Sequence, residues 1–327
     1  MTLGPLNRTF NFADAGDGVG GASQMFYLAQ TFDQPAFAAH ERRLLASKPA
    51  DIDAFHLLWF QPGVDAKQPP LSAYFRRVEV ATMRSAWDDP NAAFVGFKGG
   101  DNAASHANLD LGDFVYDANG VRWAMDLGPD DYNLPGYFGK ERWNYYRLRT
   151  EGQNTLTIDG ANQNLKGKAK ITQHAFRPDA QFAVADLSDG YAGQATRVTR
   201  GVRLIGKQLI LQDEIEADQP VDVVWHMHTA AKIELQEGGK RAVLTQNGKR
   251  LTAYVAGDSA WRFEIAVADP PPPAEPNPPM RAKSARNSQK LIVRRGDKSA
   301  KMLLVVQLVP EGEESVQQRI ELLSNWK

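Results

Sequence analysis

FVYDANGVRWAMDL, residues 114–127, is the stretch that decides the fold. Two runs rich in Val, Tyr, Phe and Trp flank Asn119-Gly120, and Asn-Gly suits the two left-handed positions of a type I′ turn. The stretch predicts a β-hairpin. Downstream, RVTRGVRLIGKQLILQDEIEA carries a turn at Gly206, and QEGGKRAVLTQNGKRLTAYVA carries two more, at Gly238-Gly239 and Asn247-Gly248. Short strands at regular spacing without intervening helices predict antiparallel sheets packed as a sandwich. LIVRR, KMLLVVQLVP and RIELLS close that domain, after a Pro-rich loop at 269–289 that cannot pair as a central strand.

Upstream of the hairpin the pattern changes. Residues 1–18 read as loop. GASQMFYLAQTF, PAFAAHERRLLAS and DIDAFHLLWF place apolar residues three or four apart, with Pro35 and Asp51 as helix starts. The expected fold is therefore all-β: a large antiparallel multistranded β-sandwich over 63–327, preceded by a short helical segment over 1–62. Three short helices bury little apolar surface by themselves. They read as the end of a larger helical domain or as a pad on a sheet.

The composition excludes several functions. The chain has 327 residues, 43% of them hydrophobic, enough for a sizeable core. It has no cysteine, so a disulfide framework, thiolate metal ligands and a Cys nucleophile are out. Net charge is −1, with no global field for a polyanion, and the even balance argues against a nucleic-acid module. No run approaches the length of a membrane span, and the first residues lack the pattern of a signal peptide. Phosphate-loop, dinucleotide and nucleophile-elbow motifs are absent.

Two stretches carry candidate chemistry. KGGDNAASHANLDLGDFVYDANGVRWAMDLG, 98–128, holds His106, Asn108, Asp110 and Asp126. In an extended segment the first three share a face, and Asp126 returns on the hairpin. Such a group suits a metal or a general base; a polar loop with a hydrogen-bonded His is the plainer reading. The second stretch, 130–160, interleaves Tyr132, Tyr137, Phe138, Trp143, Tyr145 and Tyr146 with Lys140, Arg142, Arg147 and Arg149. Aromatic faces stack on sugars and Arg forks pair with carboxylate or sulfate, although inward aromatics with outward Arg would give the same pattern. KGKAK, 166–170, reads as a solvated edge strand. His226 and His228 share a strand face and form a metal pair or, more simply, a packed one.

These stretches, taken with FNFADA (10–15), MRSAW (83–87), FKGGDNAASHANLDLGDFV (97–115), RWAMDLG (122–128), YNLPGYF (132–138), RWNYYRLRTEGQNTL (142–156) and WHMHT near 225, resemble the heparinase II/III-like polysaccharide lyases over nearly the whole chain. That family joins an α/α toroid to a C-terminal β-sandwich and cleaves acidic polysaccharides by β-elimination. The resemblance implies His106 as the catalytic residue, from its place in the family's H-x-H-x-D-x-G. It implies a sugar-binding surface with Tyr137, Arg142, Trp143, Tyr145, Tyr146 and Arg147. It also places Asn108, Asp126 and Gln153 where relatives hold a metal, often zinc. Asn108 and Gln153 stand in place of His, and amides are poor zinc ligands, so a calcium-like ion or an amide network without metal suits them better.

The resemblance further implies an acidic polysaccharide partner, a periplasmic or secreted setting, and a toroid that is mostly absent here. A separate toroid or a homo-oligomer would complete the site. A cytoplasmic location follows if no leader exists. Other readings are a non-catalytic carbohydrate-binding or structural module, and a lyase-like protein in cell-surface polysaccharide synthesis.

Overall fold

Asn119 and Gly120 take φ of 52° and 77°, and Asn247 and Gly248 take 52° and 73°. Both pairs are left-handed at the two central positions, as a type I′ hairpin requires. In the computed structural model, which describes residues 2–63, 66–177, 180–268, 289–315 and 320–327, these turns join neighbouring strands of two sheets. The expected Pro-rich loop at 269–289 lies outside the described residues except for its last position.

The strands begin with β1 (Ala73–Phe75), β2 (Val80–Arg84), β3 (Phe94–Lys98), β4 (Gly100–Asp101), β5 (Phe114–Ala118) and β6 (Val121–Ala124). There follow β7 (Leu156–Ile158), β8 (Lys168–Arg177), β9 (Ala180–Asp186), β10 (Arg197–Ile205), β11 (Gln208–Val221) and β12 (Val223–Thr229). The last six are β13 (Lys232–Gln236), β14 (Arg241–Gln246), β15 (Lys249–Gly257), β16 (Arg262–Val267), β17 (Gln289–Arg294) and β18 (Ser299–Pro310). They form three sheets: β1-β2-β3-β5-β6, β13-β14-β15-β18-β11-β10-β9-β8-β4, and β16-β17-β12-β7. The pairings are antiparallel, as the turn spacing predicts.

One continuous core joins the three sheets. Phe97 and Trp123 from the first, Val202 and Leu211 from the second, and Trp225 and Val293 from the third all belong to it. Period-2 burial explains why: in β8, Ala169 and Ile171 are buried while Lys168 and Lys170 are exposed, which is the solvated strand expected for KGKAK.

The structure divides into two compact units, Gly18–Leu71 and Met1–Asp17 with Ser72–Lys327. The first seventeen residues thus count with the sandwich, where the sequence reading places them with the helices. Their polar backbone explains it. Arg84 donates to the Leu3 carbonyl at 3.0 Å and Arg122 to the Thr9 carbonyl at 2.8 Å. Phe10 lies over Gly96 so closely that a Cβ there would meet its ring at 2.5 Å.

The helical unit holds α1 (Gln24–Thr31), α2 (Pro35–Ser47) and α3 (Ala54–Trp59). Pro35 starts α2 as expected. Asp51 does not start α3; Asp53 does, in a capping box with His56. Buried Glu41 accepts from the Ala22 amide at 2.7 Å and meets His56 Nε2 at 2.9 Å. No helix among the described residues is long and apolar enough to cross a membrane.

Candidate functional site

His106 sits in a turn between β4 and β5, not in a strand, and its φ is +60°. The reversal breaks the alternation assumed from sequence. His106 is about half exposed, whereas Asn108 and Asp110 are fully buried. The three do not project together.

A second left-handed residue, Ala13 (φ 60°), lies across from it. Its amide donates to Asp110 Oδ2 at 3.2 Å. The next amide, that of Asp14, donates to the His106 carbonyl at 3.2 Å. Asp14 Oδ2 in turn lies 3.2 Å from His106 Nδ1. Backbone and side chain therefore clamp His106 together, and the clamp offsets the strain of its backbone. Both Asp14 Oδ2 and, at 3.4 Å, the Tyr132 hydroxyl face Nδ1 of the ring.

Asp14 is almost wholly buried, and its other oxygen is shared by two donors. Arg142 Nη2 donates to Oδ1 at 2.9 Å and the Tyr137 hydroxyl at 3.1 Å. Arg142 also donates to the Ala107 carbonyl through Nε and Nη2, at 3.1 and 2.8 Å, and to Asn108 Oδ1 at 3.2 Å. One guanidinium thus fixes both sides of the His106 turn. Tyr132, 45% exposed, stands over the imidazole with ring centroids 6.1 Å apart, and Phe138 meets it edge-on at 5.7 Å. Burial and the nearby Asp14 charge push the Tyr132 phenol up, so it keeps its proton as a donor.

The remaining expected residues scatter more widely. Tyr137, Tyr145, Tyr146 and Arg142 are buried. Tyr145 donates to the Pro135 carbonyl, and Tyr146 meets His228 Nε2 at 2.8 Å. Trp143 and Arg147 are partly exposed, with Arg147 donating to the Leu127 carbonyl. The structure brings Tyr137, Arg142 and Asn108 to His106 through Asp14. Elsewhere, Tyr146 is linked to Asn154 through His228, and Gln153 Nε2 donates to the Arg147 carbonyl at 2.5 Å. Asn154 Oδ1 accepts from the His228 amide at 2.7 Å, and its Nδ2 donates to the Phe114 and Met125 carbonyls. His226 meets Thr157 at 2.9 Å. The two His of β12 are therefore packed and hydrogen-bonded, and burial holds both well below the usual imidazole range.

Sequence reasoning assigned no role to Asp14 or Asn154. Both lie inside quoted motifs, and Asp14 is the one acid of FNFADA.

Two of the three expected ligands are amides, which are poor zinc ligands. Asn108 Oδ1 is taken by Arg142, and Asp126 Oδ1 accepts from Gly128 at 2.6 Å, while Asp126 Oδ2 and Gln153 Oε1 are buried without a hydrogen-bond partner. Burial pushes the Asp126 carboxyl up to about 7, and burial together with the charges of Asp126 and Asp110 raises Asp113 well above the carboxylate range. The Oδ2 atoms of Asp113 and Asp126 are both buried without a hydrogen-bond partner. Nearby, Lys98 neutralises Asp110 at 2.5 Å. Among the described residues no three His, Asp or Glu side chains gather as a metal group.

Comparison with known proteins places these features in a family. The model of the heparinase II/III-like C-terminal domain matches residues 68–306. Comparison with curated proteins returns no match. Among solved structures, a mutant of the heparan sulfate lyase HepC from Pedobacter heparinus superposes with a TM-score of 0.72 at 18% identity, over 96% of this chain and 46% of that one. A heparinase III superposes with a TM-score of 0.67 at 15% identity, over 92% of this chain and 44% of its own. At such identities the likeness shows the fold. The chain spans under half the length of these structures. With a family model covering most of its length, the chain belongs to the heparinase II/III-like family through its C-terminal β-sandwich domain.

Proposed function

We propose that this chain supplies the β-sandwich half of a polysaccharide lyase site acting on uronate-containing acidic glycans. The observation that carries the reading is the clamp on His106: an exposed imidazole, held in a left-handed turn by a buried carboxylate, with a protonated Tyr132 beside it.

β-Elimination needs three services. A base removes the proton beside the uronate carboxylate, a cation or donor quiets the developing negative charge, and an acid protonates the leaving 4-linked oxygen. The His106 imidazole suits the first. Tyr132 suits the third, since its hydroxyl lies 3.4 Å from His106 Nδ1 and keeps its proton. Arg142 acts here as a positioning residue, because its donors are spent on Asp14, Ala107 and Asn108. The remaining service, at the uronate carboxylate, has no candidate among these side chains. Polymeric glycans of this kind lie outside the cytoplasm, which favours a periplasmic or secreted setting.

The test is the ultraviolet absorbance of unsaturated uronate product over heparin, heparan sulfate, chondroitin and alginate. The expected outcome is product from one of the four, lost by at least about 10²-fold in His106→Ala. No absorbance with any of them from the full-length protein, with the toroid half present, removes the lyase reading. The amides at Asn108 and Gln153, and the short span against known lyases, favour a second reading: a carbohydrate-binding module that does not cleave. Glycan binding without product would establish it.

A further inference from the structure

The chain contains two Asn-Gly pairs, Asn119-Gly120 and Asn247-Gly248, and both take left-handed φ at a hairpin turn. They are also neighbours in the sandwich. The backbone of Glu311 joins them: its carbonyl accepts from Asn119 Nδ2 at 3.0 Å, and its amide donates to the Arg250 carbonyl at 3.0 Å. The two turns share a dipeptide, a backbone shape and a neighbourhood, and differ in how each Asn side chain is held.

Asn119 is fixed at three points. Lys207 Nζ donates to its Oδ1 at 3.0 Å, its Nδ2 is spent on Glu311, and its amide donates to the Asn91 carbonyl at 3.2 Å. A Cβ on Gly120 would lie 3.6 Å from Asn91 Oδ1, so this turn has a neighbouring segment against it. Asn247 is exposed, and so are Gly248, Lys249 and Arg250 after it. Its side chain makes no hydrogen bond among the described residues, and nothing lies within 4 Å of the place a Gly248 Cβ would take.

Glycine after asparagine leaves the next backbone nitrogen unhindered. That nitrogen reaches the side-chain Cγ once the turn opens and the amide rotates. Asn247 does so without giving up a side-chain hydrogen bond, whereas Asn119 must first break three bonds. Lys249 and Arg250 add positive charge close to atoms that become negative during the attack. We propose that Asn247 is a site of spontaneous deamidation and that the contacts of Asn119 protect it from the same reaction. The Gly248 nitrogen loses its proton to hydroxide and bonds to Cγ; the Cγ–Nδ2 bond breaks, and ammonia leaves with a proton from water. Water then opens the cyclic imide. Opening at Cγ gives aspartate. Opening at the backbone carbonyl gives isoaspartate, whose chain runs through Cβ and Cγ and lengthens the turn between β14 and β15. Either product adds a carboxylate two residues before Lys249, whose present partner Glu311 stands at 3.8 Å. The reaction is independent of any cleavage at His106.

The test is incubation of the folded protein at mildly alkaline pH. Peptide mapping by mass spectrometry reads replacement of the side-chain amino group by hydroxyl, and an isoaspartate-specific carboxyl methyltransferase labels the rearranged product. The expected result is conversion at Asn247, with Asn119 slower by about tenfold or more. Denaturant brings the two rates together. Lys207→Ala raises the rate at Asn119 by about fivefold and leaves Asn247 unchanged. Gly248→Ala slows Asn247 severalfold, because a Cβ now shields the attacking nitrogen. Thermal melts confirm that both variants fold.

Equal rates at the two positions of the folded protein would overturn the proposal, as would faster conversion at Asn119. So would an intact Asn247 after an incubation that converts it in the denatured chain. An unchanged rate at Asn119 in a folded Lys207→Ala protein overturns the protective half.

Discussion

His106 keeps a backbone conformation that an L side chain adopts at a cost of about 1–3 kcal/mol, so something must over-determine it. Asp14 does, through its amide and its carboxylate at once. Asp14→Asn keeps the shape and removes the charge that orients the imidazole. Under the lyase reading, elimination by this variant is expected to fall about 10²-fold; an unchanged rate would show that the carboxylate plays no such part. Arg142→Ala should be worse for the fold than for any single contact. It strands a buried carboxylate and two acceptors, and is expected to destabilise by roughly 3–5 kcal/mol in urea unfolding. Chelation with EDTA should leave the melting temperature unchanged, because the donors at Asn108, Asp126 and Gln153 do not suit zinc. Stoichiometric zinc in the purified protein would contradict this.

At the scale of the element, β12 carries a pH-dependent load. His226 and His228 are buried, and burial is the main cause holding both well below the usual range. The unfolded chain takes up protons near pH 6.5 while the folded chain does not. The stability these residues allow is therefore present above pH 6.5 and lost as pH falls below it, by up to about 1.4 kcal/mol per unit for each His. His226→Gln should flatten that slope by one proton in denaturation measured from pH 7 to 5. Turns carry their own cost. Gly248 has φ 73° with open space around its Cα, so Gly248→Ala meets no clash and is expected to lose about 1 kcal/mol from backbone strain alone. These turns were legible in the sequence because Asn-Gly and Gly-Gly have few other uses between β-rich runs. The stretch at 98–113 was not. Its polar residues alternate as a strand would, and nothing in their identity announces that His106 turns left-handed. Likewise Arg142 and Tyr137 read as sugar-binding types, while their burial depends on Asp14, 128 and 123 residues away.

The whole molecule has uneven surfaces. In the helical unit Leu57 and Leu58 are 83% and 69% exposed, with Phe55 and Phe60 beside them in sequence, an apolar density unusual for an isolated surface. Dye binding by 8-anilinonaphthalene sulfonate is expected to be strong and to drop in Leu57→Glu with Leu58→Glu; equal fluorescence would show the patch is not accessible. The sandwich was readable from periodicity alone, but the membership of residues 1–17 was not, since a loop announces no partner. That membership makes the site discontinuous in the chain: Asp14 precedes the helical unit and His106 follows it. A protease that nicks anywhere in 18–71 would cut the covalent path between the two residues without touching the hydrogen bonds that join them. The short N-terminal peptide should then copurify as a non-covalent strap and be lost only under denaturant. Adding it back as a synthetic peptide would restore the imidazole's support, so the pair offers a split-protein reporter in which complementation reads out assembly of the site.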